Sequence, residues 1–160
     1  MMRTFVTVFT VVVNLLLADA VTKELAAKAL KGAAAIPVLP GFFDLAYVEN
    51  RGCAWGMFQG QVWPLAAFAL VALAGLVWKR RSLFYTGARG ARRFLGGAAE
   101  CLLYAGVIGN LIDRIWRGYV IDFLDFHWNV HHFPCFNLAD VFICTAAGLL
   151  ILLSFGAEKR

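Results

Sequence analysis

The chain has 160 residues, of which 61% are hydrophobic and only 16% charged, with a mean hydropathy of +0.72. Soluble domains carry about a quarter charged residues, so these values exclude an ordinary soluble protein and point to an integral membrane protein. The length suits one compact bundle rather than two domains, and the net charge of +5 has to be read against where the cations lie.

In chain order, residues 4–18 are apolar and uncharged and would span a bilayer if extended through residue 22. Arg3 before this run and Ala18-Asp19-Ala20 after it imitate a cleavable signal peptide. Asp19 and Lys23, however, lie four residues apart and would form a same-face ion pair on a helix continuing past the supposed cut, so the segment reads as a retained first span. A loop over residues 24–61 alternates apolar and polar side chains around residues 42–47 and carries Pro37, Pro40, Gly41, Gly52, Gly56 and Gly60. Short strands or an interfacial platform are expected there. Residues 52–78 carry no charge, residues 95–112 are interrupted only by Glu100, and residues 141–157 are again uncharged.

A helix crosses the hydrocarbon core with roughly 20 apolar residues, within a range of about 17 to 25. The expected architecture is therefore an all-α integral membrane protein, a single polytopic domain over residues 1–160. Its four transmembrane helices fall at residues 4–22, 62–78, 95–115 and 138–157.

Between the second and third spans lie Lys79, Arg80, Arg81, Arg89, Arg92 and Arg93, and the ends add Arg3, Lys159 and Arg160. The positive-inside rule places that loop and both termini in the cytoplasm. The charge is thus topological, and nucleic acid is not expected as a partner. The loops at 24–61 and 116–136 then face outward, as a small extracytoplasmic β-containing platform. They and their borders hold Trp55, Trp63, Trp116, Trp128, Tyr47 and Tyr119, aromatics suited to a headgroup boundary. Cys53 and Cys135 fall in these loops and Cys101 and Cys144 in spans, without a CxxC pair. They read as unpaired small apolar residues, with a Cys53–Cys135 bridge as the alternative in an oxidising compartment.

The charged residues at the rims of the spans carry the chemistry, because a carboxylate at the edge of a spanning segment is costly unless partnered. Asn110, Asp113, Arg114 and Arg117 recur at helical spacing and share a face. One reading is a network closing the outer end of the bundle, with Asp113 held by Arg114. Asp122 lies nine residues beyond Asp113, half a turn out of phase at about 100° per residue; the two are not expected to serve one site on a continuous helix. Asn137 followed by Asp140 forms a capping arrangement that suits a helix N-terminus. The same geometry puts Asn137 and Asp140 on one face and favours an ionised Asp140.

Asp122 and Asp140 are separated by 17 residues, enough to return the chain to one membrane depth. If they share a site, like-charge repulsion makes the pair hold one proton near neutrality. One carboxylate then takes a proton from water while the other protonates the scissile carbonyl, with no metal, cofactor or covalent nucleophile.

Four blocks, in order, resemble the bacterial lipoprotein signal peptidases (signal peptidase II), which are membrane aspartyl proteases. They are Asp19-Ala20-Val21-Thr22-Lys23, Asn50-Arg51-Gly52-Cys53-Ala54-Trp55-Gly56, Gly109-Asn110-Leu111-Ile112-Asp113-Arg114 continuing to Val120-Ile121-Asp122-Phe123, and Phe136-Asn137-Leu138-Ala139-Asp140. The resemblance implies that Asp122 and Asp140 are catalytic, with Asp113 as rival to Asp122. It implies supporting roles for Asp19, Lys23, Asn50, Gly52, Asn110, Asp113, Arg114, Asn137 and Ala139.

The implied substrate is a diacylglyceryl-modified prolipoprotein, cut before its lipidated cysteine in the bacterial cytoplasmic (inner) membrane, near the periplasmic face, by a monomer surrounded by membrane lipid and sensitive to globomycin. Cys53 and Trp55 depart from the usual Ala and Phe of the second block, so packing of the outer loop is expected to differ. Two other classes compete: a small proton-coupled carrier, which would place its charges at the midplane, and a metal-dependent intramembrane enzyme using His127, His131 and His132. The histidines lack a recognisable ligand spacing and are expected to be interfacial or loop residues, with an effect on pH dependence as the alternative.

Overall fold

The computed structural model of the protein describes residues 2–85 and 90–155. Arg89, Lys159, Arg160, the side chain of Arg3 and the last two residues of the expected fourth span lie outside the described residues. Among the described residues three helices are long and apolar enough to cross a membrane: α1 (Met2–Leu30), α4 (Gly90–Arg117) and α5 (Leu138–Phe155). The remaining apolar helix, α2 (Val62–Trp78), has 17 residues and is uncharged. α1 runs eight residues past the boundary expected at residue 22, because Glu24, Leu25, Ala26, Ala27, Lys28, Ala29 and Leu30 are good helix formers, and its polar residues find partners inside the bundle.

A sheet of four antiparallel strands in the order β1-β2-β3-β4 sits at one end of the bundle. β1 (Ile36–Leu39) and β2 (Phe43–Asn50) follow α1 and precede α2; β3 (Val120–Trp128) and β4 (His131–His132) join α4 to α5. All four helix ends that feed the sheet therefore lie on one side, and the α2–α4 connection, with the short α3 (Arg80–Phe84), on the other. Ala26, Leu30 and Phe123 pack with Leu45 and Tyr47 and seat the sheet on the end of α1. Trp55 and Trp128, with Trp63 at the start of α2 and Trp116 at the end of α4, are all exposed on this side.

α4 is the hub and packs against α1, α2, α3 and α5. Its buried face is made of small residues, among them Gly96, Ala99, Ala105, Gly106 and Gly109, which let neighbouring backbones approach closely, as membrane helices require. Glu100, the single charge interrupting the apolar run, is fully buried and is satisfied from outside its own helix. Arg80 of α3 pairs with it through Nε and, at 3.1 Å, through Nη2, and Tyr85 Oη donates to it at 2.6 Å.

α4 meets α5 closely at Gly106, where a Cβ would lie 2.5 Å from the Ala139 carbonyl oxygen and 2.6 Å from Ile143 Cγ1. Gly106→Val should therefore push α4 and α5 apart and lower stability by about 1–3 kcal/mol, read as a lower midpoint of thermal unfolding in detergent.

Candidate active site

The polar residues singled out in the sequence converge where the sheet meets the helix ends. Asn137 immediately precedes α5; its Oδ1 accepts from Asp140 N at 3.0 Å while Asp140 Oδ2 accepts from Asn137 N at 3.1 Å. This is the reciprocal capping pattern that satisfies the free amides of a first helical turn. The next free amide, Ala139 N, donates to Asp19 Oδ1 of α1 at 2.9 Å. Asp19 therefore completes from another helix what Asn137 begins.

From this cap a chain of amides reaches both carboxylates. Asn137 Nδ2 donates to Asp122 Oδ1 at 2.7 Å and to Asn110 Oδ1 at 3.1 Å; Asn110 Nδ2 donates to Asp140 Oδ1 at 2.7 Å. Asn50, at the end of β2, donates to Asp122 Oδ2 at 2.9 Å. Each carboxylate thus has one donor on each oxygen, and none of these donors is a cation. The two acids are close enough for the charge of Asp140 to act on Asp122: burial first, and that charge second, push the Asp122 carboxyl up to about 7, against the pull of Asn50, Asn137 and Lys23.

The orientation of Asn110 is fixed from behind. Lys23 Nζ, 2% exposed, donates to Asn110 Oδ1 at 3.0 Å and pairs with Asp19 at 2.8 Å and Asp113 at 3.0 Å. An ammonium has three donors and no acceptor; all three are used, and the Asn110 amide is left with its nitrogen turned toward Asp140.

Asp113 stands apart from the two acids. It pairs with Lys23 and, at 3.0 Å, with Arg117 four residues on, and accepts from Ile121 N at 3.4 Å. The Asp113–Arg114 pairing expected from the sequence is not the one formed: successive helical residues point about 100° apart, whereas i and i+4 share a face. Arg114 instead donates to the Gly52 carbonyl at 3.1 Å and to the Asn110 carbonyl at 3.4 Å. Gly52, whose N donates to Asn50 Oδ1 at 2.9 Å, has no room for a side chain, since a Cβ would lie 2.5 Å from Met57 O.

In front of the acids opens a cavity of about 460 Å³, lined by Asn50, Cys53, Trp55, Asn110, Arg114, Asp122, Phe133, Cys135, Phe136, Asp140, Val141 and Ile143, among others. Trp55, held at a positive φ of 62°, touches Phe133 edge-on at 5.6 Å between ring centroids. Phe133 carried no signal in the sequence, and neither did Glu24, which accepts from Arg117 across a separation of 93 residues. All four cysteines are free; burial, with Asp122 and Asp125 next, pushes the Cys135 thiol up to about 12. Among the described residues no group of three or more His, Cys, Asp or Glu is arranged to hold a metal ion.

Residues 11–156 match the family model described as Signal peptidase (SPase) II. The lipoprotein signal peptidase of Syntrophotalea carbinolica is 43% identical over 137 residues, covering 84% of this chain and 81% of that one. That of Haemophilus influenzae is 34% identical over 145 residues, covering 89% and 81%. A solved structure, a bacterial membrane enzyme determined by the in meso method at 2.3 Å resolution, superposes with a TM-score of 0.80 at 31% identity and covers 96% of this chain and 92% of its own.

Lys23→Met removes the shared cation and leaves Asp19 and Asp113 facing each other in the bundle. Breaking a buried pair costs about 3–5 kcal/mol, so this variant should unfold at a clearly lower temperature in detergent.

Proposed function

The chain belongs to the signal peptidase II family, and we propose that it removes signal peptides from prolipoproteins by adding a water molecule held between Asp122 and Asp140. The observation that carries this reading is the shared polar frame: two carboxylates facing one cavity, bridged through the Asn110 and Asn137 amides. Asp140, at the positive end of α5, takes the proton of the attacking water. Asp122, protonated near neutrality, gives its proton to the carbonyl oxygen and later helps return one to the leaving amine. The pair titrates as a unit. Asn50, Asn110 and Asn137 orient the two acids; Asp19, Lys23 and Ala139 hold the frame; Arg114 and Gly52 anchor the outer loop at the cavity rim.

The substrate in this reading carries a diacylglyceryl group on the cysteine that follows the cut bond. The apolar cavity lining, Val141, Ile143, Phe133 and Trp55, suits acyl chains arriving from the bilayer. α2, uncharged and 17 residues long, sits at the lower end of the spanning range and serves as the fourth span, making a single domain of residues 1–160. Both termini and the α2–α4 connection then lie in the cytoplasm of the bacterial inner membrane, with the sheet and the acids at the periplasmic face. The chain works as a monomer among membrane lipids, and globomycin blocks it.

Cleavage of a diacylglyceryl-modified prolipoprotein in detergent tests the chemistry. Asp122→Asn and Asp140→Asn should each lower turnover by at least about 10²-fold, the lower bound for a lost acid or base, while unfolding like the wild type. Asp113→Asn should retain turnover and lose stability; the reverse pattern would transfer the role to Asp113. Removing the Asn50 donor with Asn50→Ala should raise the Asp122 midpoint above its value of about 7. Its protonated form then persists to higher pH, and the alkaline limb of the pH–rate profile moves upward.

A further inference from the structure

One face of the outer sheet carries two acids and two imidazoles that the reaction does not use. Asp44 of β2 stands directly across from Asp125 of β3, and His127 of β3 directly across from His132 of β4. Asp125 and His127 are two residues apart on one strand, so all four side chains project from the same face. His132 Nδ1 lies 2.9 Å and 3.0 Å from the two oxygens of Asp125. His127 Nε2 lies 3.4 Å from Asp44 Oδ2, and the two imidazole rings stack at 4.8 Å with an 18° tilt.

The geometry at His127 fixes what the ring must carry. Its Nδ1 faces the Asn129 carbonyl at 3.2 Å, and a carbonyl only accepts, so Nδ1 bears a proton. In a neutral ring Nε2 would then turn a bare lone pair toward the Asp44 carboxylate. His127 Nε2 is buried without a hydrogen-bond partner, as is Oδ1, the other oxygen of the Asp44 carboxylate it faces. Two acceptors pressed together are repulsive, and the two aspartates directly opposite each other add a like-charge pair. Among the described residues no lysine or arginine forms an ion pair with any of the four. The titratable groups facing His127 are Asp44 from β2, Asp125 on its own strand and His132 from β4; His131 pairs in register with Trp128. A second proton on His127 converts its contact with Asp44 from repulsive to attractive.

β4 leads directly into residues 133–136, which run along β3 and form one wall of the cavity. Phe133 N donates to Phe126 O at 2.8 Å, Phe136 N to Leu124 O at 3.1 Å, and Phe136 O accepts from Phe123 N and Leu124 N. We propose that Asp44, Asp125, His127 and His132 form a proton-operated clip that positions this wall for substrate, holding it when His127 is charged and loosening it when His127 is neutral. The inference rests on the peptidase reading of the cavity. These are positioning residues, and their effect falls on substrate affinity.

Burial of the His127 ring works against its charge, but Asp44, the Asn129 carbonyl and Asp125 outweigh it and hold its pKa above the ordinary 6.5. A raised imidazole contributes fully below 6.5 and loses its contribution as pH climbs through the raised value. Titration of the histidine ring protons by NMR on the full chain in detergent should give a His127 midpoint above 6.5 that falls in Asp44→Asn. Backbone hydrogen exchange at Phe133 and Phe136, corrected for its intrinsic pH dependence, should quicken about threefold between about pH 6 and about pH 8. KM for the diacylglyceryl prolipoprotein should rise by a similar factor across that window, with kcat following the two carboxylates. In Asp44→Asn and His127→Gln both responses should be flat, with kcat retained.

A wild-type midpoint at or below 6.5, or exchange and KM that respond to pH in both variants as in the wild type, would overturn the clip. The ring titration and the exchange do not depend on cleavage. A chain that shows the raised His127 midpoint and the pH-dependent exchange but leaves prolipoprotein uncut would overturn the peptidase reading instead and keep the clip as a property of the sheet.

Discussion

One buried ammonium group organises the polar interior. Lys23 Nζ is surrounded by oxygens of Asp19, Asp113 and Asn110, in a part of the bundle where an unpartnered charge would cost far more than the helix packing returns. Its three donors bind α1 to α4 at a defined depth. Because one of them is spent on Asn110, the amide can face Asp140 only with its nitrogen. Asp19, held by the same lysine, meets the first turn of α5. The position of three helices and the orientation of one amide thus follow from a single cation.

The frame around the acids is built from neutral donors. A cation hydrogen-bonded to either carboxylate would favour the doubly ionised pair. Amides satisfy the oxygens without supplying that charge, which leaves burial and the neighbouring acid to raise the Asp122 carboxyl. Arg114 fits this division: it stands at the cavity, yet its two hydrogen bonds go to carbonyls. Its charge is spent on fixing the Gly52 backbone, and through it the loop that bears Trp55.

The membrane class and the chain positions of three long helices are legible in the sequence because uncharged apolar runs near 20 residues match the thickness of a bilayer and exceed what a small soluble core can bury. So is the N-terminus of α5, where Asn137 and Asp140 stand at capping spacing. The pairings between elements are less so. Adjacency in the sequence couples Asp113 to Arg114, but its cations are Lys23, far away along the chain, and Arg117, one turn on. Local spacing identifies which residues share a helical face and is silent on which helix that face meets. The length of α1 is hidden for a related reason: its charged residues look like an end to the span, and only their partners on α4 make a longer helix affordable. The histidines are legible only as a cluster. That His127 and His132 lie across from each other, with Asp44 and Asp125 beside them, depends on strand register, which the turn residues do not determine.

The two facing carboxylates sit on elements with no rigid covalent connection, one on a strand and the other on the opening turn of the last helix. Asn50 comes from the first half of the chain, Asn110 from the hub helix and Asn137 from the start of the last helix. Only a portion running at least from Asn50 to Asp140 contains the whole frame. During synthesis the pair therefore comes into existence only once the final helix has inserted and docked against the hub, so a nascent or truncated chain lying in the same bilayer as its own unfolded neighbours has no assembled pair with which to act on them.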